Sequence, residues 1–355
     1  MQDARLCMLV LLVLFLPLCS GGGSSAEGAL TSCDPFKFAQ PLNMRKFYRG
    51  NTHTHHKNSS DSVENIEDVA AWYRSAGYNF LVLTDHNISS MPGEYFAHES
   101  EEFVIIAGEE VTSSALVEHG ELVPVHVNAI CSNGSTVGGV RLIGAAQALT
   151  DAVDRTVNVA DAIAQINHPN FHYALTAEDI ASAKNARLIE IANQLPWANN
   201  AGDEDHQSSE QKWDYALSQG NELFGVASDD THDLPPNAIT PPGLGWIQVA
   251  AQGATYPKIC TAIEEGMFYA STGVELSLIS VTEASIQLTI EPGDGSIGSD
   301  FTTFFIGRGG ELLQVSSGLM PSYQLGDDVG YVRARIVSSE GKIAWTQASR
   351  IVPAA

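Results

Sequence analysis

Histidine and acidic residues recur where short apolar segments of the chain end. A His-x-His pair, His53 and His55, follows the first such segment, and Asp85 with His86 follows the second. Imidazole and carboxylate groups are the usual ligands of divalent transition metals. Several of them can share a buried site only if cations neutralise their charge. The pattern therefore predicts a metal centre, whose further candidate ligands are Glu109, Glu110, His126, His168, Asp230 and His232.

The segments that must position these residues alternate between short strands and amphipathic helices. Apolar residues recur at helical spacing from 63 to 76, and the apolar runs 79–84 and 103–107 that follow predict buried strands. Between about residues 46 and 272 this alternation favours a parallel α/β architecture, with a barrel as its leading form. Side chains at the carboxyl ends of barrel strands meet at one rim, so the candidates are expected to converge there.

A different pattern begins near residue 274. The segments VELSLISV, SIQLTIEP and YVRARIVS are rich in strand-forming residues, and turns that contain glycine separate them. We therefore expect a small antiparallel, sandwich-like β-domain at 274–355. It would follow a larger α/β domain at 28–273, which carries the candidate ligands.

The first 27 residues have the pattern of an export signal. Arg5 precedes an apolar run from 8 to 18, which is too short to cross about 30 Å of hydrocarbon as a helix. Cys19 and a Gly/Ser-rich tether follow, as in a bacterial lipoprotein leader. We expect an exported protein, which would be either a periplasmic or outer-membrane lipoprotein with a lipid anchor or a secreted protein.

Cysteine content and net charge narrow the classes of protein to which the chain can belong. Outside the leader, Cys33, Cys131 and Cys260 have neither zinc-finger spacing nor the density of a disulfide framework. One disulfide can form, and its partners cannot be chosen from the sequence. The net charge of −24 over 355 residues disfavours nucleic-acid binding, because a polyanion would be repelled.

Six motifs in order resemble the PHP (polymerase and histidinol phosphatase) family of metal-dependent phosphoesterases. They are NTHTHHKNSSD, the helix ending in AGYN together with FLVLTDHN, AGEEVTS, QINHPN and SDDTHD, between about residues 50 and 235. The sequence around FLVLTDHN and the C-terminal extension are similar to those of an exported branch of this family. That branch is related to carbaryl-hydrolase-like metallohydrolases. The resemblance implies an α/β fold with a distorted (β/α)7-type barrel and a site for two or three divalent ions, Zn, Mn or Fe.

The resemblance also implies a ligand set. A first metal would be held by His53, His55, Glu110 and Asp230, a second by Glu110, His126 and His168, and a third by Asp61, His86 and His232. Two positions depart from the family pattern. Ser60 stands where an aspartate is often found, which moves that ligand to Asp61, and Glu109 competes with Glu110.

Such a site implies hydrolysis. Divalent cations lower the pKa of bound water, so no serine or cysteine nucleophile is needed. The general acid remains open among Asp85, His172 and His206, and Asp85 could instead orient a ligand imidazole.

Phosphate recognition usually uses Arg or Lys, and Lys57 and Arg187 are the nearest candidates. Asn170, Trp197 and residues 199–206 are expected in loops at the rim.

Three functions fit these residues. The first is hydrolysis of a phosphate mono- or diester of a small molecule. The second is hydrolysis of a carboxyl or carbamate ester on the same fold, which the scarcity of basic residues leaves open. The third is a metal-containing binding protein without catalysis.

Overall fold

Apolar segments of the chain form strands, and amphipathic segments form helices, in a computed structural model. The structure describes residues 46–116, 121–136, 143–236, 238–239, 241–282, 284–293, 300–326 and 330–350. The expected leader and Cys33 lie outside these residues. All described residues belong to one compact unit, Phe36–Ala355.

Helix α1 illustrates how the sequence pattern determines an element. It buries Ile66, Val69, Ala70 and Tyr73, which recur at helical spacing, and it carries acidic residues in its first turn.

No helix of the described ranges is both long and apolar enough to cross a membrane. The helices are α1 Ile66–Ser75, α2 Ala145–Asn158, α3 Ala177–Ser182, α4 Ser209–Ser218 and α5 Tyr256–Glu264, with single 3-10 turns at Phe96–His98, Phe171–Tyr173 and Arg308–Gly310.

The described strands form three sheets. A ten-stranded sheet has the order β14-β13-β16-β17-β10-β9-β1-β2-β3, with β18 paired to β16; a five-stranded sheet has the order β4-β5-β6-β7-β8, and a three-stranded sheet has the order β11-β12-β15. The strands are β1 Lys46–Asn51, β2 Phe80–Val82, β3 Val104–Ile106, β4 Gly108–Leu116, β5 Leu122–Ile130, β6 Ile163–Ile166, β7 Leu188–Asn193, β8 Phe224–Ser228, β9 Trp246–Ala251, β10 Phe268–Ser271, β11 Glu275–Val281, β12 Ser285–Glu291, β13 Phe301–Ile306, β14 Leu312–Ser317, β15 Ser322–Gln324, β16 Tyr331–Ser338, β17 Ile343–Thr346 and β18 Ser349–Arg350.

The sheets mix parallel and antiparallel pairs. Parallel pairing joins β1 to β2, β2 to β3, β6 to β7 and β7 to β8, as the alternation of strands and helices predicts. In contrast, β4 and β5 pair antiparallel, because residues 117–121 are too few for the crossover that a parallel pair needs. The predicted α/β class is confirmed, but the strand pairing is mixed rather than parallel throughout.

The predicted barrel is not closed by strand pairing among the described residues. Instead, two isolated parallel bridges, Thr54 to Thr231 and His86 to Glu110, connect the ten-stranded sheet with the five-stranded sheet. These bridges lie just beyond the ends of β1 and β2. The two sheets therefore meet where the candidate ligands are found.

The C-terminal strands continue the large sheet. Strand β17 pairs with β10, and β16 pairs with β17. A second apolar core, which includes Leu276, Ile286, Phe305 and Ile336, lies among these strands and the three-stranded sheet. The buried Arg333 of β16 also binds Asp214 of α4 through two nitrogens, at 2.8 and 2.6 Å.

A disulfide joins Cys131, just after β5, to Cys260 in α5. Their Cα atoms lie 5.9 Å apart, and the bond closes a loop across a sequence separation of 129 residues. The structure thus selects one of the pairings that the sequence leaves open.

Replacement of Cys131 and Cys260 together by serine should lower the free energy of unfolding by about 2–4 kcal/mol, because the bond restricts the unfolded chain. Denaturant unfolding with and without reductant measures the change. Reductant should destabilise the wild type and leave the double variant unaffected. Equal unfolding midpoints for the two proteins under oxidising conditions would contradict the pairing.

Candidate metal centre

All nine side chains proposed as metal ligands lie in one cluster at the junction of the two large sheets. Their donor atoms form four overlapping groups, and the atoms of each group lie within 4.8 Å of one another. Asp61 lies in the loop between β1 and α1, and each of the other side chains lies on a strand or a few residues beyond a strand end. The groups are His55, Asp61, His86 and His232; His53, His55 and Asp230; His53, Glu110 and His168; and His86, Glu110 and His126.

Glu110 lies at the centre of the cluster and is only 1% exposed. Its Oε1 accepts a hydrogen bond of 2.8 Å from Asn167 Nδ2. Both of its oxygens also face imidazole nitrogens. These are His53 Nε2 at 3.2 Å, His55 Nε2 at 3.3 Å, His86 Nδ1 at 3.2 Å, His126 Nδ1 at 3.0 Å and His168 Nε2 at 3.4 Å.

The neighbouring Glu109 points the other way. Its carboxylate accepts hydrogen bonds from the backbone nitrogen and the hydroxyl of Thr136, at 2.9 and 2.8 Å. Consecutive residues of a strand face opposite sides of the sheet, so only one of the two glutamates can reach the cluster. That residue is Glu110.

Asp230 and Asp61 provide the other two carboxylates. Asp230 Oδ1 lies 3.1 Å from His53 Nε2 and 3.2 Å from His55 Nε2. Asp61 Oδ2 lies 3.1 Å from His86 Nε2 and 3.2 Å from His232 Nε2.

Ser60, which stands where the family often has an aspartate, is exposed, whereas Asp61 belongs to the group with His55, His86 and His232. The shift of one position therefore places the carboxylate among the imidazoles.

The donor set fits divalent cations. Among the described residues, the buried Nε2 atoms of His53 and His55 have no hydrogen-bond partner of acceptable geometry. Their Nδ1 atoms are held, that of His53 at 2.8 Å from Glu190 and that of His55 at 3.2 Å from the Ser59 hydroxyl. Such contacts fix the orientation of the ring and direct its other nitrogen toward a metal. Without a metal, a buried nitrogen that has no hydrogen-bond partner is unfavourable.

The electrostatic field of the cluster attracts positive charge. Burial alone lowers the pKa of His53, but the charges of Asp230, Glu110 and Glu190 raise it well above its ordinary value. Burial also lowers the pKa of His232, whereas its hydrogen bond to Asp61 and nearby carboxylates raise it to about 9. A divalent cation would compete with these protons for the same nitrogens.

Glu190, in the middle of β7, is a residue of the candidate site that the sequence reasoning missed. It is fully buried, and besides holding His53 it accepts a 2.6 Å hydrogen bond from the backbone nitrogen of His168. Asn193, also missed, donates to Glu190 and to Asp230, both at 2.9 Å. A single charged residue within the apolar segment LIEIAN was the available signal.

Backbone strain concentrates in the same region. His168, His172 and Asp230 have φ values of 24°, 51° and 54°, in the left-handed region that residues other than glycine rarely adopt. Strained residues persist when the surrounding contacts determine them, and they are frequent at functional sites.

The three candidates for the general acid lie in different places. Asp85 is buried outside the cavity, where it accepts hydrogen bonds from the backbone nitrogens of His56 and Ser59, at 2.9 and 3.1 Å. His206 is exposed and also lies outside the cavity, stacked on Tyr173 with ring centroids 3.8 Å apart. Only His172 reaches the cavity wall.

A cavity of about 570 Å³ opens beside the cluster. Neither Lys nor Arg occurs among its described lining residues. Lys57 instead binds Asn65 at 2.9 Å, and Arg187 binds Glu222 at 2.6 Å. The lining consists of Asp61, His86, Glu110, His126, His168, Phe171, His172, Asn193, Leu195, Trp197, Ala198, Asp230, His232, Asp233 and Ile239.

The chain is distantly similar to two solved structures. One, from Bacteroides vulgatus, is described as a two-domain protein containing a predicted PHP-like metal-dependent phosphoesterase; it is 14% identical with a TM-score of 0.46, over 85% of this chain and 95% of that chain. The other, from Bifidobacterium adolescentis, is described as a metal-dependent phosphoesterase, an assignment that is itself a prediction; it is 14% identical with a TM-score of 0.35, over 54% and 92%.

The first description names the family that the sequence motifs resemble, and neither addresses the exported branch. Both similarities are too distant to assign a role to any residue. No family model and no curated relative matches the sequence.

Replacement of Glu190 by glutamine should weaken metal binding by about 10–100-fold, because the amide no longer holds His53 and His168 as the carboxylate does. Titration of metal-free protein with Zn²⁺, followed by calorimetry, measures the change. Glu109→Gln is the matched control: it alters a buried glutamate on β4 that faces away from the cluster. Equal Zn²⁺ affinities of Glu190→Gln and the wild type would contradict the positioning role.

Proposed function

We propose that the protein is a metal-dependent hydrolase that cleaves phosphate mono- or diesters of small molecules. The observation that carries this proposal is the convergence of imidazoles and carboxylates on Glu110 beside an open cavity. Such a donor set suits borderline divalent metals, and Zn, Mn and Fe are the candidates.

The proposed ligand sets are those that the sequence resemblance implies, and all nine side chains lie within the four overlapping groups of the cluster. When bound, the cations would lower the pKa of water and stabilise the charge that develops on the phosphoryl oxygens. We propose two or three ions, held by His53, His55, Glu110 and Asp230; by Glu110, His126 and His168; and by Asp61, His86 and His232.

The chain itself orients the ligands and supplies the proton. Glu190 fixes the rings and backbone around His53 and His168, and Asn193 holds Asp230. His172 lines the cavity and can donate a proton to the leaving oxygen. We therefore assign it as the general acid.

Replacement of His172 by alanine should slow cleavage of alkyl esters by about 100-fold, since a poor leaving group needs protonation. Release of p-nitrophenolate, which leaves without a proton, should change much less. His206→Ala, an exposed histidine outside the cavity, is the control and should affect neither substrate. Similar losses on both leaving groups in His172→Ala would argue against this assignment.

Hydrolysis of a carboxyl or carbamate ester is the second candidate. The absence of Lys and Arg from the described cavity lining favours it, because phosphate sites usually provide such groups. Cations at the cluster would polarise a carbonyl by the same chemistry.

We also propose that the protein is exported. The apolar run at 8–18 supports this, as does the Cys131–Cys260 disulfide, because disulfides persist mainly in oxidising compartments. The presence of a lipid anchor on Cys19 remains part of the proposal.

For the domains, we propose a catalytic part at 28–273 that forms a distorted (β/α)7-type barrel and a β-rich part at 274–355. The two bridges between the large sheets support the first, and the second apolar core, which comes mostly from residues after 273 but includes Ala250 and Tyr269, supports the second.

Turnover of an aryl phosphate, a bis-aryl phosphate and an aryl carboxylic ester, each with Mn²⁺, Zn²⁺ or chelator, tests the function. We expect metal-dependent release from the phosphates, and a loss of at least about 1,000-fold in His53→Ala and Asp230→Ala, since each removes a ligand. Cleavage of the carboxylic ester alone would favour the second candidate. No turnover of any substrate would favour a binding protein, and undiminished turnover in either variant would disprove the ligand set.

A further inference from the structure

Large apolar side chains form part of the cavity next to the metal centre. We call them the apolar wall: Phe171, Leu195, Trp197, Ala198 and Ile239. The ring of Phe171 lies 5.2 Å from that of His168, so the wall begins directly at the candidate ligands.

Two members of the wall are exposed although they are large and apolar. The exposed fraction is 43% for Trp197 and 73% for Ile239. Apolar side chains that line a cavity are typical of surfaces that bind the apolar part of a ligand.

The segments that carry the wall are tied together by a buried network. Asn170, which is fully buried, donates to the carbonyl oxygens of Asn199 and Gln207, at 2.9 and 3.0 Å. The buried Lys212 of α4 donates to Asn170 and to the carbonyl oxygen of Leu175. The segment with Phe171 and the segment with Trp197 are therefore connected before any ligand arrives, which reduces the entropy lost on binding.

The charges around the cavity disfavour a highly charged substrate. Asp61, Glu110, Asp230 and Asp233 line the cavity, and Glu190 lies directly behind His53. These carboxylates offset much of the charge that two or three cations would bring, and no described Lys or Arg adds to it at the lining. Little positive charge is left to neutralise a dianion.

We propose that the apolar wall binds a flat apolar group, such as an aryl ring, of an ester that carries at most one negative charge, so that among phosphate esters it favours diesters over monoesters. This inference rests on the proposed hydrolysis at the cluster. Water adds to the phosphorus or carbonyl carbon, the bond to the ester oxygen breaks, and that oxygen leaves with a proton as an alcohol or phenol. The second product is the corresponding acid.

Calorimetric binding to the full chain loaded with Mn²⁺ at pH 8 tests the proposal without turnover. The probes are dimethylphosphinate, methylphenylphosphinate and phenylphosphonate, which separate the aryl group from the charge. Methylphenylphosphinate should bind about tenfold tighter than dimethylphosphinate, because its ring buries apolar surface on the wall. It should also bind at least as tightly as the dianionic phenylphosphonate.

Trp197→Ala should reduce the preference for the phenyl group to about threefold or less and leave dimethylphosphinate binding unchanged. Phe96→Ala is the matched control, because Phe96 is an aromatic residue that is 74% exposed and lies outside the cavity. It should retain the full preference.

Three results would overturn the proposal: equal binding of the two phosphinates, no binding of either, or tighter binding of the dianion. None of these decides whether esters are hydrolysed, which the turnover panel measures separately. Failure of the wall and failure of the proposed function can thus be distinguished.

Discussion

A carboxylate buried among imidazoles is the constraint on which the rest of the structure depends. Glu110 is almost fully buried, and a charged group in that position is strongly unfavourable unless opposite charges surround it. Burial alone raises its pKa, whereas the charges of His53, His126 and His86 lower it well below its ordinary value. Strands β1, β2, β5, β6 and β8 must therefore place their polar residues around one point of β4, and the bridge between His86 and Glu110 connects the sheets there.

At two of these positions, two adjacent acidic residues have different roles. Glu109 and Asp229 hold loops, while their neighbours Glu110 and Asp230 face the cluster. Asp229 accepts hydrogen bonds from the backbone nitrogens of residues 243, 244 and 245, at 2.8, 2.8 and 2.9 Å, and from Tyr73 at 3.0 Å. In each pair, one carboxylate fixes the local backbone and thereby the direction in which the other points.

The sequence predicted more of the cluster than of its support. Residues such as His53 and Asp230 could be found because a ligand type recurs at strand ends, a short-range pattern. Glu190 left only a weak local signal, because its partner His53 is far away along the chain and no local spacing connects them. The same limit applies to the disulfide, whose cysteines are separated by 129 residues. His206 was a candidate for the general acid because it lies in an acidic loop that resembles a site. Its stacking on Tyr173 could not be read from the sequence.

In the proposed hydrolase, reaction and specificity would be carried by different parts of the molecule. The candidate ligands other than Asp61 lie on strands or a few residues beyond their ends, where backbone hydrogen bonds fix their positions, and a change there would alter the metal centre itself. The apolar wall instead comes from loops, which are held by side chains such as Asn170 and Lys212. Burial lowers the pKa of Lys212 to about 8, partly opposed by the charge of Asp179. If the proposed hydrolysis is correct, substitutions in the loops would therefore change which ester is accepted without removing a ligand of the cluster, as is general for functional loops on a rigid scaffold.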